Sequence, residues 1–348
     1  MYYVGVDLHK HTSWFYVIDD DGKRISSKNI SNNLEILKKY FEQLPKPFTL
    51  AVEATYNWYY FVDLAREYAD TVFLANSFEL KAFAKRHKKT DKIDARLIAT
   101  VMYKGFLPIV TIADKETRMI REVLRYRMSI VADRSKNIFR LKALLDKLGY
   151  CSTGNFTTYK KLVDIEKYEL PEIYKNLALK FIDQIKYLNK QEFNISKDIE
   201  LLSMQDEAIR NLMSINGISH FSASLIKTEI IDVGRFKTFN RLCAYAGLAP
   251  RVSKSANKTY VGPLNNNRRK NLQWILIETA FHYIKGYPEK KKRYEEIKKR
   301  KGSNTAKVAL ARDMLKMIYI VLKENRPFYS NKNNIKIQLV AASALCGV

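Results

Sequence analysis

The sequence Tyr2–Asp7 (YYVGVD) predicts the first strand of a sheet, and this strand ends on a carboxylate. The segment Thr49–Glu53 (TLAVE) repeats the arrangement, because a short apolar run again ends on an acid. Asp91 and Asp94 follow a basic segment and lie within the string KTDKIDA. Residues three apart lie on one face of a helix. The sequence therefore predicts that two of these four acids lie at strand ends and two at the start of one helix.

These four acids, Asp7, Glu53, Asp91 and Asp94, are the kind of ligand that Mg²⁺ prefers. Hard divalent cations take oxygen ligands, and two such ions roughly 3.5 to 4 Å apart can activate a nucleophile at a phosphodiester and stabilise the leaving oxygen. We therefore predict a Mg²⁺ site in which Mn²⁺ can substitute. The alternative is that the acids are turn residues and that Asp91 caps a helix. Their joint appearance favours the metal site.

The chain has a large excess of positive charge. Of its 348 residues, 61 are Lys or Arg and 36 are Asp or Glu, which gives a formal net charge of +25. This excess favours a polyanionic partner, with nucleic acid ahead of an anionic membrane. No apolar run approaches the roughly 20 residues of a spanning helix, so we expect no membrane partner. The unpaired spacing of Cys151, Cys243 and Cys346 is typical of a reducing cytoplasm.

The five histidines show no spacing that is typical of metal ligands. His9 and His11 follow Asp7 closely, and contact with a substrate is one interpretation of them. Exposed loop or strand histidines are the interpretation that we favour.

The order of predicted elements over residues 1–115 indicates an α/β domain. Three strands in a meander come first, followed by a helix, a strand, a helix and a strand. Acids end the first and the fourth strand, and this order predicts a ribonuclease-H-like fold. The elements after the first strand are predicted at Trp14–Ile18, Lys23–Ile30, a helix from Leu34, Thr49–Glu53, Trp58–Tyr68 and Thr71–Ala75.

A basic run, Lys85–Lys89 (KRHKK), directly precedes the pair of acids at 91 and 94. A charge run is usually a solvated face. Beside a carboxylate cluster, however, it can hold phosphates near metal ions. We therefore predict nucleic-acid contacts for four of its residues: Lys85, Arg86, Lys88 and Lys89.

Residues 116–208 predict a helical arm. From Arg118 to Tyr150 the apolar positions recur every three or four residues, as in a long helix or a coiled-coil seam. The string CSTGNF at 151–156 interrupts the pattern, which resumes over Tyr168–Met204. Spacing or dimerisation is the simplest role for this arm, and its basic face also permits contact with nucleic acid.

Residues 209–330 predict a second, mostly α-helical domain, followed by a tail at 331–348. Ile215–Ile218 (INGI) and the helix-forming segment Phe221–Ile230 resemble a helix-hairpin-helix, in which backbone N–H groups of the turn hold a phosphate. Ser219 replaces the second glycine that such a hairpin usually has. An ordinary turn between two packed helices is the alternative.

The segment Pro250–Asn267 predicts a polar, basic loop. A loop of this length inside a compact domain more often has a function than not. It contains two serines, Ser253 and Ser255. A serine hydroxyl needs a base or a metal ion to become a nucleophile, so the residues alone favour a phosphate contact and leave catalysis open. The basic residues predicted to bind nucleic acid here are Arg251, Lys254, Lys258, Arg268, Arg269 and Lys270.

Several strings in this order resemble a known family, the IS110/IS1111 insertion-sequence transposases, which are related to the pilin-gene invertase Piv. They are VGVD, VEAT, KTDKIDA, INGI, AYAGLAP and NRRKNLQWILIETA, and the resemblance covers nearly the whole chain. The resemblance implies a RuvC-like N-terminal domain whose DEDD tetrad falls on Asp7, Glu53, Asp91 and Asp94.

The resemblance also implies a C-terminal transposase domain with a serine that bonds covalently to DNA. The family's serine follows the proline of a GLxP motif, and counting from Pro250 assigns it to Ser255. Ser253 remains the alternative, because Lys254–Ala256 (KSA) stands where the family often has Ser-Ser-Gly.

A Mg²⁺-dependent DNA transposase or recombinase is the function that the resemblance implies. Its partners would be donor and target DNA, a structured guide RNA, and further copies of the chain in a dimer or tetramer that builds a composite site. The alternatives are a site-specific invertase, a RuvC-like nuclease that uses water as nucleophile, and a non-catalytic nucleic-acid-binding protein whose acids are structural.

Overall fold

The computed structural model describes residues 1–84, 90–150, 168–255 and 258–328, with the backbone alone at 253–255, 258 and 261. The internal contacts divide the chain into two compact units, Met1–Ala113 and Asp114–Val348. The tail at 331–348 and the basic residues Lys85, Arg86, Lys88 and Lys89 lie outside the described residues. Their contacts with nucleic acid remain a prediction.

The first unit contains a six-stranded mixed sheet in the order β3-β2-β1-β4-β5-β6. Strands β1, β2 and β3 form an antiparallel meander, β4 and β5 run parallel to β1, and the short β6 is antiparallel to β5. The predicted α/β class is thus confirmed. The strands are β1 (Tyr2–Leu8), β2 (Thr12–Ile18), β3 (Arg24–Ser31), β4 (Phe48–Glu53), β5 (Thr71–Ala75) and β6 (Ile109–Val110).

Helices cover both faces of this sheet. The described helices are α1 (Leu34–Gln43), α2 (Trp58–Ala65), α3 (Ser77–Leu80) and α4 (Asp91–Tyr103). Val4 and Val6 of β1 belong to one core cluster with residues of α1 and α2. Because side chains alternate along a strand, Tyr3, Gly5 and Asp7 point to the opposite face, where α4 packs.

Gly5 allows α4 to lie directly on β1. A Cβ atom at Gly5 would be 2.2 Å from the Ala95 carbonyl oxygen and 2.4 Å from the Ala99 backbone nitrogen. At the far end of the same contact, the rings of Tyr3 and Tyr103 meet edge to face with centroids 5.4 Å apart. Helix α4 therefore runs antiparallel to β1, and its first turn lies at the end of the strand that bears Asp7.

The second unit begins with a pair of long antiparallel helices, α5 (Lys115–Lys147) and α6 (Glu172–Met204). Arg127 of α5 bonds to Ser196, and Arg134 to Asn189, which fixes the antiparallel register. The helical character predicted for residues 116–208 is confirmed where the structure describes it.

A half-buried ion-pair network joins these two helices. Both Arg127 and Arg134 form a salt bridge with the Glu192 carboxylate, whose side chain is 17% exposed. Burial lowers the pKa of Arg127, and the charge of Glu192 opposes this effect. Removing the carboxylate would leave two guanidinium groups without their shared counter-charge.

We therefore expect Glu192→Gln to lower the free energy of unfolding by about 2 kcal/mol. Glu122 serves as a matched control on α5, because its pair with Arg125 is 57% and 41% exposed. Glu122→Gln should cost less than about 0.5 kcal/mol. Urea denaturation followed by circular dichroism measures both changes, and equal effects would contradict the buried network.

The remainder of the second unit is mostly helical, as predicted, with one hairpin. Its elements are α7 (Glu207–Met213), α8 (His220–Ile230), α9 (Phe239–Tyr245), β7 (Pro250–Ser255), β8 (Lys258–Leu264), α10 (Lys270–Tyr283), α11 (Pro288–Lys301) and α12 (Ser303–Glu324). Among the described residues, no helix is long and apolar enough to span a membrane.

Two differences from the sequence interpretation occur here. The segment predicted as a loop, Pro250–Asn267, is largely the antiparallel hairpin β7–β8. Its polar residues are interspersed with Val252, Tyr260 and Val261 without a regular alternation, so the sequence lacks the pattern that marks a strand with one buried face. Helix α11 was also not predicted, although Pro288 at its start and Gly302 after its end are typical helix boundaries.

The predicted turn at Ile215–Ile218 does join two helices, α7 and α8. Ser219 caps α8 in a reciprocal capping box with Ser222. Gly217 has a positive φ of 89°, and a Cβ there would be 2.6 Å from the Tyr283 backbone nitrogen. The turn thus packs on the end of α10, which accounts for its glycine. A phosphate contact at this turn remains a prediction.

Candidate active site

Asp7 and Glu53 lie side by side at the ends of two neighbouring parallel strands. Val6 of β1 pairs with Val52 of β4, so the two acids occupy the next position in the register. Residues paired in this way project to the same face of a sheet. Asp7 is buried, with 6% of its surface exposed, and Glu53 is half-buried.

Helix α4 brings Asp91 and Asp94 to the same end of the sheet. Thr90 is its N-cap and accepts from the Ile93 N–H, so the predicted alternative of Asp91 as a cap does not hold. Both acids lie in the first turn, where the helix dipole favours negative charge. Asp91 is four residues from Ala95, which packs on Gly5, and this spacing directs it toward β1.

His9 lies between two of these acids. Its Nε2 atom is 3.1 Å from Asp7 Oδ2 and 3.3 Å from Asp91 Oδ1. Within the described residues, Asp7, His9 and Asp91 form a group whose ligand atoms all lie within 4.8 Å of one another. Glu53 and Asp94 are outside that compact group, although Asp94 acts on Asp7 electrostatically.

The backbone of His9 is held from two sides. Its carbonyl oxygen accepts hydrogen bonds from the side-chain amides of Asn32, at 2.8 Å, and Asn57, at 2.9 Å. Asn32 in turn accepts from the buried hydroxyl of Ser13 at 2.5 Å. These bonds tie the turn after β1 to the start of α2 and fix the imidazole beside the acids.

The electrostatics of this cluster are unfavourable for a charged Asp7. The pKa of Asp7 is raised from 3.8 to about 6, and burial is the largest cause. The nearby charges of Asp94 and Asp91 contribute to this rise, whereas the charge and hydrogen bond of His9 oppose it. A buried carboxylate crowded by other acids is the arrangement expected of a cation site.

The residues present fit a divalent cation of the Mg²⁺ or Mn²⁺ class. Asp7 and Asp91 supply carboxylate oxygens close to each other, and Glu53 and Asp94 add two more at the same end of the sheet. Oxygen donors suit both ions. The imidazole of His9 is a better ligand for Mn²⁺ than for Mg²⁺, which requires near-octahedral oxygen coordination.

The basic residues predicted around the hairpin have different environments. Arg251 and Lys270 are exposed, whereas the side chains of Lys254 and Lys258 are not described. Arg268 donates to the Asn265 carbonyl oxygen at 3.2 Å. Arg268 and Arg269 are thus partly engaged within the protein.

Arg269 belongs to a polar network around Glu229. Its Nε donates to the Tyr245 hydroxyl at 2.7 Å and lies 3.8 Å from the buried carboxylate of Glu229. Asn271 completes the set, with its amide nitrogen 3.4 Å from Glu229 Oε1. These contacts hold Arg269 against Tyr245 and Glu229, and its binding of nucleic acid remains a prediction.

The backbone of both candidate serines lies in the second half of β7. Ser255 pairs with Lys258 at the last described position of β7, and Ser253 pairs with Tyr260. The hairpin forms a two-stranded sheet of its own. Position 255 is therefore at the end of β7 opposite to Pro250. Pro250 is the residue at which the chain leaves the helices.

His9 is exposed and follows β1, as the sequence predicts, but its contacts with two of the acids were not predicted. Its spacing from Asp7 is two residues, which in a continuous strand would put both side chains on the same face. This two-residue spacing is the feature of the sequence that indicates a contact between His9 and Asp7. A single histidine near one acid does not match a metal-ligand motif, and its contact with Asp91 depends on the packing of α4.

Two family models match the chain. The DEDD transposase model of the IS110 group, described as "Transposase", matches residues 4–149. The model described as "Transposase IS116/IS110/IS902 family" matches residues 209–295. Together these two ranges span both units and more than half of the chain.

Similar curated proteins extend over almost the full length. A transposase for insertion sequence element IS1328 from Yersinia enterocolitica is 23% identical, over 93% of this chain and 98% of the relative. A protein named "Probable family 20 transposase" from Pseudomonas aeruginosa is also 23% identical, over 92% of this chain and 96% of the relative. The chain belongs to the IS110 family of insertion-sequence transposases.

Proposed function

We propose that this transposase cuts and rejoins DNA by a Mg²⁺-assisted mechanism in which Ser255 is the nucleophile. The observation that supports it most directly is the gathering of Asp7, Asp91, Glu53 and Asp94 at one end of the sheet. The strand order, with a three-stranded meander followed by two parallel strands, supports a RuvC-like, ribonuclease-H-like domain. The domain division 1–115, 116–208 and 209–330 is part of this proposal.

Each part of the chain has its own task in this mechanism. Asp7, Glu53, Asp91 and Asp94 hold the divalent cations. When bound, these ions supply positive charge that lowers the cost of ionising a hydroxyl and of releasing an oxygen from phosphorus. The buried position of Asp7 excludes water from part of the cluster, which strengthens its attraction for a cation.

The covalent step balances as an exchange of one phosphate ester for another. The Ser255 Oγ loses its proton and bonds to phosphorus, while the bond from phosphorus to one deoxyribose oxygen breaks. The departing oxygen takes up a proton. Attack by a hydroxyl of a second DNA strand on the phosphoserine then reverses the exchange, releases the serine and joins the new strand.

We also propose that a structured guide RNA selects the DNA and that further copies of the chain assemble into a dimer or tetramer around it. The net charge of +25 supports a polyanionic partner such as a structured RNA. The acids and the serine that act on one phosphate can then belong to the same copy or to two copies.

The test is a covalent adduct on a DNA end. Full-length protein, Mg²⁺, DNA of the element's end and RNA transcribed from its flank are combined with a substrate whose cleaved strand dissociates. We expect a protein–DNA adduct on a denaturing gel, and Ser255→Ala should abolish it. Ser253→Ala is the matched control, because it removes a hydroxyl from the same strand, and it should retain the adduct.

The other outcomes are equally informative. An adduct that persists in Ser255→Ala contradicts the assignment, and its loss in Ser253→Ala alone would transfer the role to Ser253. Cleavage without any adduct in the unmodified protein would identify a hydrolytic nuclease that uses water.

A further inference from the structure

A cleft of about 760 Å³ lies in the second unit, beside the base of the hairpin. One wall is formed by residues of the hairpin, Pro250 and Gly262–Leu264, and the other by helices α11 and α12. A cleft of this volume falls within the range of pockets that hold small organic groups such as a nucleotide. The proposed chemistry at the DEDD acids does not use it.

The cleft combines an apolar floor with a cationic rim. Phe239, Pro263 and Val308 contribute apolar surface. At the rim, Lys301 and Lys316 are exposed, and neither takes part in an ion pair among the described residues. This pattern suits a ligand with an apolar ring and a negative group.

The negative charge of the cleft is already compensated. Asp313 is the acid in its lining, and its carboxylate is 3.4 Å from Lys290 Nζ and 3.0 Å from Arg293 Nη1. The rim as a whole is therefore positive. An anionic ligand complements it, whereas a cationic peptide would be repelled.

A second depression continues the cleft onto the hairpin. It shares Pro250, Gly262 and Pro263 with the cleft and is also lined by Arg251, Val252 and Tyr260. Tyr260 is 57% exposed and Val252 is 58% exposed, although both are large apolar side chains. An exposed aromatic ring beside an arginine is typical of a surface on which nucleic-acid bases stack.

The shape favours a single strand over a duplex. In a duplex the bases are stacked inside, so they cannot reach an apolar floor or an aromatic ring. In an unpaired strand each base can stack on an aromatic ring while the phosphates follow the cations. We propose that the cleft, together with Tyr260, binds an unpaired stretch of nucleic acid, with bases on Phe239 and Tyr260 and phosphates at Lys301 and Lys316.

The position of this surface connects it to the proposed chemistry, and this part of the inference rests on the proposed function. Tyr260 is two residues from Lys258, which pairs with Ser255. Two residues of a strand span about 7 Å, a length close to that of two stacked nucleotides. A base on Tyr260 would therefore belong to the strand whose phosphate reaches position 255.

Binding to a short oligothymidylate tests the inference. Full-length protein with EDTA is titrated with the labelled single strand, and separately with a duplex of the same length, by fluorescence anisotropy. Tyr260→Ala should weaken binding of the single strand about tenfold and that of the duplex less than about twofold. Tyr260→Phe keeps the ring and should bind like the unmodified protein.

The salt dependence tests the cations separately. Each lost phosphate contact lowers the slope of log affinity against log salt by about 0.7 for a single strand. The double variant Lys301→Gln/Lys316→Gln should therefore reduce the slope by about 1.4. Lys299→Gln is the control, because Lys299 lies on the same helix outside the cleft lining, and it should change the slope by less than about 0.3.

Unchanged single-strand binding in Tyr260→Ala, or an equal loss for the duplex, would overturn the inference. So would a Lys299→Gln variant that changes the slope as much as the double variant does. EDTA removes the divalent cations, so this binding is measured without cleavage or adduct formation. Failure of the serine mechanism and failure of the cleft are thereby distinguished.

Discussion

Asp7→Asn should abolish DNA cleavage and at the same time stabilise the metal-free protein at pH 8. The loss of activity follows because Asp7 is the most buried of the four acids and an amide lacks the charge that holds a divalent cation. We expect a loss of about a hundredfold to a thousandfold, which is the usual effect of removing a preorganised electrostatic group. Cleavage of labelled DNA in Mg²⁺ measures it.

The stabilisation follows from the sign of the pKa shift. The pKa of Asp7 is raised from 3.8 to about 6, so the folded protein holds the proton more tightly than the unfolded chain. The contribution of Asp7 to the free energy of unfolding is therefore greatest below about pH 4, and it is lost as the pH rises through about 6 and Asp7 ionises. The ionised carboxylate costs about 3 kcal/mol above that range, and Asn removes this cost.

Urea denaturation in EDTA at pH 4 and pH 8 measures the effect. Asp7→Asn should raise the free energy of unfolding at pH 8 and leave it nearly unchanged at pH 4. Glu42→Gln provides a control, because Glu42 is exposed on α1, which covers the opposite face of the sheet. A less stable Asp7→Asn protein at pH 8 would contradict the proposed electrostatic cost.

Gly5→Ala should disrupt both the first unit and its site. The new Cβ would be 2.2 Å from the Ala95 carbonyl oxygen and 2.4 Å from the Ala99 nitrogen, and backbone atoms cannot rotate away. Helix α4 must then move off β1, which costs roughly 3 kcal/mol or more and displaces Asp91 from Asp7. Thermal unfolding and DNA cleavage assays measure the two effects.

Two further variants sharpen this prediction. Gly262→Ala is a matched control, because its nearest neighbours would be an ordinary 3.8 Å away, and it should cost less than about 0.5 kcal/mol. Combining Gly5→Ala with Ala99→Gly should not restore stability, since the closest obstacles are backbone atoms. Full rescue by Ala99→Gly would show that side-chain crowding alone causes the loss.

The strands of the first unit could be predicted because their signal is local. Thr71–Ala75 was predicted with the bounds that the structure shows, and Asp7 was correctly placed at a strand end. Short apolar runs bounded by turn residues define such strands. The hairpin was not predicted for the opposite reason, since its polar and apolar residues do not alternate with a regular period.

The candidate site was predicted only in part, because its geometry depends on contacts between distant residues. The four acids were selected by residue type and by resemblance. That Asp91 meets His9, while Glu53 and Asp94 lie outside the compact group, depends on how closely α4 packs on Gly5. A glycine in a strand indicates close approach of some backbone, but the sequence does not name the partner.

The hairpin β7–β8 has a consequence for when the enzyme is able to act. A ribbon of two strands has little stability of its own, because it lacks a third strand. We expect the free energy of nucleic-acid loading to supply the rigidity that the candidate serines need. Under the proposed mechanism, a copy without bound nucleic acid would then not cleave chromosomal DNA.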